Sequence, residues 1–313
     1  MERTKKAQQW KLLWKRIRSH WLLYVLIFPV LLWYVLFCYL PIAGGISLAV
    51  RQYRFDAGIW NSPFVGLEHF QKMIRDKDFI RAVKNTVIIS TGRIVFQMPC
   101  AIALALFLNE IRNAKIKKTF QTIVTFPHFI SWVVLAGILT EIFGSSGVIN
   151  GVLTSCGLET ISPISTASSF RPFIWLSNIW KEIGWDSIIY LAAITSIDPG
   201  LYEAAEVDGA GRLKRIWYIT LPGIKGTIAT MLILAIGQIM TNGSFDQIFN
   251  LYSAPVYKVG DTLDTYIFRE SFITGGLNYG YSSAIGMFKS IIGTVMIVIS
   301  NKIVTSLGEN GLF

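Results

Sequence analysis

Charged residues are scarce in this chain. They make up 15% of its 313 residues, whereas soluble globular domains carry about 25%. Hydrophobic residues reach 52%, and the mean hydropathy is +0.49. This composition excludes an ordinary soluble domain and indicates a polytopic membrane protein. The net charge of +10 then needs no nucleic acid, because cytoplasmic loops of membrane proteins collect Lys and Arg.

Cysteine and histidine are also few, and a phosphate-binding loop is missing. The three cysteines and three histidines are scattered through the chain, at Cys38, Cys100, Cys156, His20, His69 and His128. Their spacing predicts neither a disulfide framework nor a metal site. No Gly-x-x-x-x-Gly-Lys-Ser/Thr motif occurs. The chain is therefore expected to hold no cofactor of its own, to have no catalytic residues and not to hydrolyse ATP by itself.

Long apolar runs are what the sequence has in abundance. A helix of about 20 apolar residues is long enough to cross the hydrocarbon core of a bilayer. Six segments meet this length, at about Trp21–Leu40, Lys84–Leu108, Phe120–Phe143, Pro172–Ile197, Gly223–Asn242 and Ser283–Val304. Pro127 predicts a kink in the third of these segments. The expected fold is an all-α membrane protein with six transmembrane helices.

The remaining segments divide the chain. Residues 1–20 form a basic arm; the span after it is not a signal peptide, because no small-residue cleavage site follows. Residues 21–83 hold the first span and a long outer loop. Residues 84–304 form the transmembrane core, and residues 305–313 form a short tail.

Basic residues predict the orientation of the bundle. If the N-terminus lies in the cytoplasm, the inner segments hold seven Lys and Arg in the arm, four in residues 109–119 and three in residues 198–222. The outer loops hold six Lys and Arg in residues 41–83, one in residues 144–171 and two in residues 245–281. The side with more Lys and Arg is usually cytoplasmic. Both termini are therefore expected in the cytoplasm of a cell-membrane protein.

The most polar stretch of the C-terminal half, residues 198–222, predicts a helix–turn–helix between two spans. Asp198 is a typical N-cap, followed by Pro199 at the first helical position. Gly209 provides the left-handed residue that ends the short helix. Pro222 predicts the break before the next span.

The second helix of this stretch is predicted to begin at Ala210. It places Leu213, Ile216 and Trp217 on one face, and that face is expected to pack against the chain's own spans.

This stretch resembles the EAA loop of the permease subunits of binding-protein-dependent ABC importers. The residues that carry the resemblance are Glu203, Ala204, Ala205, Asp208, Gly209, Ala210, Leu221 and Pro222. The resemblance implies a MetI-like fold in which this loop couples the permease to a cytoplasmic ATPase. The Asp208-Gly209-Ala210 extension is similar to the sugar-importing members.

Other motifs resemble the polysaccharide or complex-oligosaccharide branch of the family, the LplB type. They are Phe245–Tyr252, Asp264-Thr265-Tyr266 and Gly286–Ser290. The resemblance implies an oligosaccharide substrate and a second, non-identical permease. It also implies two ATPase subunits, which bind ATP and Mg, and an extracytoplasmic sugar-binding protein.

Charged residues inside the predicted spans indicate where a solute passes. A charge at the centre of a transmembrane helix costs about 2.5–3.5 kcal/mol on insertion scales, so such residues avoid lipid. Arg93, Lys181, Asp186 and Lys289 are the candidate charge network. We expect Arg93 or Lys289 to lie within ion-pair distance of Glu182 or Asp186.

One helical face of the fourth span combines indoles with hydrogen-bonding groups. It holds Trp175, Asn178, Glu182 and Trp185. Sugars suit such a face, because their C–H faces lie on aromatic rings while their hydroxyls need polar partners. Gln238 and Asn242 in the fifth span are weaker candidates. The alternative is a purely structural charge network, and both interpretations are compatible.

Two other classes of function compete with an importer subunit, besides a permease for another small solute. A secondary transporter would use the same charges as a proton relay, but no inverted repeat is evident. An intramembrane enzyme would need a nucleophile and a base, and Glu182 and Asp186 have no His or Cys beside them in the sequence.

Overall fold

The computed structural model describes residues 15, 18–241, 245–273, 278–308 and 311–312. Across these residues the chain is helical apart from turns, loops and one isolated β-bridge between Arg51 and Phe64. Asn242 and most of the predicted basic arm lie outside the described residues.

The main helices follow one another with short connections. In chain order they are α1 Trp21–Ala49, α2 Glu68–Arg75, α3 Lys77–Glu110, α4 Ala114–Thr125, α5 Trp132–Phe143, α6 Val148–Ser155, α7 Ala167–Thr195, α8 Pro199–Val207, α9 Arg212–Gly223, α10 Lys225–Gly237, α11 Phe245–Leu251, α12 Leu263–Phe268 and α13 Tyr279–Ser306. Single-turn helices at Gly58–Asn61 and Tyr257–Gly260 accompany them.

Four segments of the described chain are long and apolar enough to cross a membrane: α1, α3, α5 together with α6, and α13. The pair α9 and α10, bent by 58°, makes a fifth if it counts as one span. Helix α7 has the length, at 29 residues, but its charged residues lower its hydropathy. The predicted count of six spans is therefore not reached by length and composition within the described residues.

Helix α1 is longer than the sequence predicted. It was expected to end at Leu40, before Pro41, but it runs on to Ala49. A π-helical turn, Val35–Tyr39, precedes the proline. Such a turn changes the hydrogen-bond register and thereby accommodates the missing amide of Pro41. The outer loop is correspondingly shorter and contains the helix α2.

The predicted third span is not one helix. Pro127 does more than kink it: α4 ends at Thr125, a 3-10 turn covers Phe126–Phe129, and α5 begins at Trp132. Ile130 and Ser131 are extended, and Ser131 Oγ caps α5 by accepting from Val134 N (3.3 Å). The chain therefore changes direction here.

Helices α3 and α7 form the centre of the fold and lie side by side. Gly92 allows the close approach, because a Cβ there would lie 2.2 Å from the indole of Trp175. Apolar residues of α3, α7 and the start of α10 close one end of the pair: Ala101, Ala105, Leu108, Tyr190, Leu191, Ile194 and Ile224. Helix α13 packs against α10 and against the C-terminal part of α1.

Hydrogen bonds to two aspartates hold the opposite end together. Asp76 caps α3 and also accepts hydrogen bonds from the hydroxyls of Tyr266 (2.6 Å) and Tyr281 (3.1 Å). Burial alone would raise the pKa of Asp76, but these hydrogen bonds and those from the backbone hold its pKa below the usual value. Buried Asp261 forms a two-pronged ion pair with Arg269 (2.7 and 3.0 Å). These contacts fix α12 and α13 against the start of α3.

Candidate functional site

A cavity of about 420 Å³ lies between α3, α5, α7 and α10. Each long helix contributes residues spaced three or four apart, which is one helical face. The lining residues are Ser90, Arg93, Ile94, Gln97, Met98 and Ala101 of α3, Trp132 of α5, Asn178, Glu182, Asp186 and Tyr190 of α7, and Met231, Leu234, Ala235 and Gln238 at α10 and its C-cap. The cavity therefore combines a polar side, built by α3 and α7, with an apolar side built by α10.

Amide groups connect the polar side. Asn178 Nδ2 donates to Gln97 Oε1, and Gln97 Nε2 donates to Asp186 Oδ2. A buried carboxylate needs such donors, because an unpaired one costs much more free energy than a neutral polar group. Gln238 also lines the cavity, and it is an exposed residue.

Arg93 is buried and connects the cavity with α11. Its Nη2 donates to Gln247 Oε1. Fully buried Gln247 in turn donates from Nε2 to the carbonyl of Ile174 (2.8 Å) and to Ser177 Oγ (3.0 Å). These bonds tie α11 to both α3 and α7.

Glu182 is held by two neighbours. Its Oε1 accepts from Lys181 Nζ (2.8 Å), and its Oε2 lies 2.5 Å from His128 Nδ1. Lys181 is buried and also donates to the carbonyl of His128 (2.7 Å). The folded chain thus brings a histidine beside Glu182, which the sequence did not predict.

The structure brings together five of the predicted intramembrane residues around the cavity: Arg93, Asn178, Glu182, Asp186 and Gln238. Trp175 lies outside the lining. Its indole packs on Gly92 and its Nε1 donates to the carbonyl of Ile89 (3.0 Å). Trp185 also lies outside the lining; it stacks on His128.

The predicted ion pairs are wrong for Lys289. Its partner is Asp264 of α12, which lies away from the cavity. Arg93 lines the same cavity as Glu182 and Asp186, and the expected ion pair between Arg93 and one of these carboxylates stays a prediction. The sequence could not have placed His128 at Glu182, because this contact depends on the break between α4 and α5.

The second candidate site is the loop 198–222, whose first half folds as predicted. Asp198 Oδ1 accepts from Gly200 N (2.9 Å) at the start of α8. Gly209 has φ +73°, a left-handed conformation that a residue with a Cβ rarely adopts. The amide of Ala210 then bonds back to the carbonyl of Ala205 (2.8 Å), as in a glycine-terminated helix.

Contacts between α8 and α9 make the loop one unit. Tyr202 and Thr220 share a hydrogen bond between their hydroxyls (3.0 Å), and Arg215 pairs with Glu206 (3.2 Å). The remaining face of α8 is open, and Glu203, Ala204 and Asp208 are exposed on it.

The prediction for the second helix is wrong in two respects. Leu213 and Trp217 are exposed instead of packing on the chain's own spans, and Ile216 is half-buried; a π-helical turn covers Ile216–Thr220, so the regular helical spacing assumed for this face does not hold beyond Arg215. The helix also continues through Pro222 and bends two residues later, at Ile224.

Comparison with known proteins identifies this architecture. Residues 98–309 match the family described as the binding-protein-dependent transport system inner membrane component. The chain belongs to this family. It is thus a membrane-spanning permease subunit of the ABC transporter type, with the MetI-like fold, and is itself non-catalytic.

Curated relatives and solved structures match almost the whole permease. Protein LplB of Bacillus subtilis is 40% identical over 95% of this chain and 92% of its own length. The polygalacturonan/rhamnogalacturonan transport system permease protein YteP of the same organism is 40% identical over 99% of this chain and 95% of its own. A chain from the crystal structure of a bacterial alginate ABC transporter, in complex with an alginate pentasaccharide-bound periplasmic protein, superposes with a TM-score of 0.86. That chain is 39% identical, over 96% of this permease and 99% of its own length.

Several residues of the cavity were missed by sequence reasoning. They are Gln97, Trp132 and Tyr190 in the lining, together with Gln247 and His128, which contact the lining residues Arg93 and Glu182. Gln97 had a detectable signal, since an amide within an apolar span needs a partner. Gln247 lies on a short helix outside the predicted spans, so only the fold brings it to Arg93.

Proposed function

We propose that this permease passes oligosaccharides through the cavity between α3, α5, α7 and α10. The observation that carries the proposal is the combination of amides and carboxylates with an apolar wall inside the bundle. Sugars present both hydroxyls and C–H faces, and a site of this composition can bind both. The likeness to permeases whose names include polygalacturonan, rhamnogalacturonan and alginate supports an oligosaccharide substrate.

Other chains would supply the remaining subunits of the transporter. We propose a second, non-identical permease, two ATPase subunits that bind ATP and Mg, and an extracytoplasmic sugar-binding protein. The exposed face of α8, with Glu203, Ala204 and Asp208, and the exposed Leu213 and Trp217 of α9 fit a docking element. The movement that ATP hydrolysis drives in the ATPase subunits would be transmitted to the cavity through this loop. The distribution of Lys and Arg supports cytoplasmic termini and a cytoplasmic coupling loop.

Replacement of Gln238 by alanine is the test of the cavity. Gln238 lines the cavity and is exposed, so the substitution removes a hydrogen-bonding group for the sugar without opening the core. We expect sugar transported per ATP hydrolysed to fall about two- to tenfold, the range of one neutral hydrogen bond. The measurement is uptake of labelled alginate and galacturonate pentasaccharides by the whole complex in liposomes.

The matched control is Gln121→Ala, because Gln121 lies in α4 outside the cavity lining. The control should transport like the wild type. Equal transport by the Gln238 variant would contradict the proposed path. If neither pentasaccharide is taken up but another small solute is, the permease serves a different class. Uptake without an ATPase chain in the purified complex would favour a secondary transporter.

A second prediction concerns docking through Glu203. We expect Glu203→Ala to weaken co-purification of the ATPase by tenfold or more, since truncating one partner of a buried charge pair costs about 2–5 kcal/mol. Glu203 is exposed in this chain, so burial would come from the ATPase surface. Exposed Glu159, in the loop between α6 and α7, supplies the control Glu159→Ala, which should leave ATPase recovery unchanged. Wild-type ATPase recovery and transport with Glu203→Ala would show that Glu203 is only a solvated helix residue.

A further inference from the structure

The turn between α4 and α5 places one histidine against α7. Pro127 is buried and the helix does not continue through this point, so Phe126–Phe129 forms a 3-10 turn. Helices α4 and α7 touch through their backbones just before it. A Cβ on Gly184 would lie 2.1 Å from the carbonyl oxygen of Val124. This close contact between the two backbones brings the turn with His128 next to α7.

The ring of His128 makes two contacts at once. Its Nδ1 lies 2.5 Å from Glu182 Oε2, and its plane is parallel to the indole of Trp185. The ring centroids are 4.4 Å apart and the interplanar angle is 4°. Because a carboxylate only accepts, we assign the proton of this hydrogen bond to Nδ1.

The backbone of His128 is fixed as well. Lys181 Nζ donates to its carbonyl (2.7 Å) and to Glu182 Oε1 (2.8 Å). Both oxygens of Glu182 are therefore engaged, and the carboxylate keeps one orientation at the edge of the cavity. The charged groups near His128 and its partner are Lys181, Glu182 and Asp186 of α7 and Arg93 of α3.

We propose that His128 is a positioning residue for the sugar path. Its imidazole holds Glu182 as a hydrogen-bond acceptor for hydroxyls and backs Trp185, a residue that is 46% exposed and lies one helical turn from Glu182 on α7, as a stacking surface. This inference rests on the proposed function. Sequence reasoning named Glu182 and Trp185 but not the residue that orients them. The imidazole performs both tasks because it combines a ring with a nitrogen donor, whereas phenylalanine lacks the donor and glutamine lacks the ring.

Two substitutions separate the two contacts. His128→Phe keeps a ring against Trp185 and removes the hydrogen bond to Glu182. His128→Gln keeps an amide donor near Glu182 and removes the stack. We expect sugar transported per ATP to fall about tenfold for His128→Phe, the scale of a hydrogen bond to a charged group. For His128→Gln we expect about a threefold fall, the scale of an aromatic pair.

The concentration of sugar-loaded binding protein that gives half-maximal transport should stay within twofold of wild type, because the variants act after delivery. A merely structural role would instead lower stimulated ATP hydrolysis and transport together. Phe126→Leu, in the same turn, is the control, since Phe126 is exposed and makes no ring contact with Trp185 in the described structure.

Double substitutions decide the assignment. In a Glu182→Ala background, His128→Phe should cost nothing further, and in a Trp185→Ala background the same should hold for His128→Gln. Additive losses in both backgrounds would overturn the proposal. If one His128 variant does not accumulate in the membrane, the double substitution with the other variant decides alone.

Failure of this inference is distinguishable from failure of the proposed function. The probes are the same labelled alginate and galacturonate pentasaccharides, and Gln238→Ala is run beside the His128 variants. A loss with Gln238→Ala but none with either His128 variant would keep the path and remove His128 from it. No uptake of either pentasaccharide by the wild-type complex would remove the path, and the role of His128 with it.

Discussion

Gly209→Pro should abolish transport while leaving the permease in the membrane. Gly209 has φ +73°, whereas a proline ring fixes φ near −65°. The substitution also removes the amide that donates to the carbonyl of Glu206 (3.1 Å). The turn between α8 and α9 must therefore rebuild, and the surface that we propose for ATPase docking loses its shape. The measurement is uptake into liposomes together with ATPase recovery in the purified complex.

The chain offers a closely matched control two residues away. Gly211 has φ −66°, which proline adopts without strain, and a Cβ there would meet nothing within 4 Å. Gly211→Pro should therefore retain transport. Normal uptake by a well-expressed Gly209→Pro variant would show that this turn does not shape the docking element.

Gly184→Ala should be the most damaging small substitution in the bundle. The added Cβ would lie 2.1 Å from the carbonyl oxygen of Val124 and 2.6 Å from the amide nitrogen of Thr125. These are backbone atoms and cannot rotate away, so α4 and α7 would have to separate. Overpacking of this kind costs about 1–3 kcal/mol. The separation would also draw His128 from Glu182, so we expect a lower melting temperature of the purified complex and a large loss of transport.

The control for this substitution is Gly286→Ala in α13, where a Cβ would meet nothing within 4 Å. It should be neutral or slightly stabilising, because alanine favours helix over glycine by about 1 kcal/mol. Equal melting temperatures for the two variants would mean that α4 and α7 do not depend on their close backbone contact.

Hydropathy and local signals predicted most of the helices. The second and sixth spans appear as α3 and α13, and Asp198 and Gly209 mark the ends of α8 as expected. Local rules work there because a cap or a left-handed residue acts on its own turn. They failed at Pro41 and Pro222, where a π-helical turn before the proline lets the helix continue. A sequence window does not reveal such a change of register.

The candidate site was predicted by residue type but not by partner. The helical face predicted for the fourth span places Asn178 and Glu182 together, and both line the cavity because α7 is a regular helix. Trp175 shares that face, but its indole packs against Gly92 of α3 and does not line the cavity. Lys289 and His128 found their partners through the folding of distant segments, α12 in one case and the turn after α4 in the other. Such pairings depend on packing, which periodicity alone does not encode.

The continuation of α1 past Pro41 has a mechanical consequence. At 29 residues the helix is about 43 Å long, while the hydrocarbon core is about 30 Å thick. None of Trp21–Tyr34 is buried, and the residues of α1 that are buried, Gly44 and Ala49, lie in its last third, which packs on α13. Within the described chain α1 therefore packs on the core only through its last third. The exposed apolar length of α1 is therefore the surface that this chain offers to lipid or to the second permease proposed above.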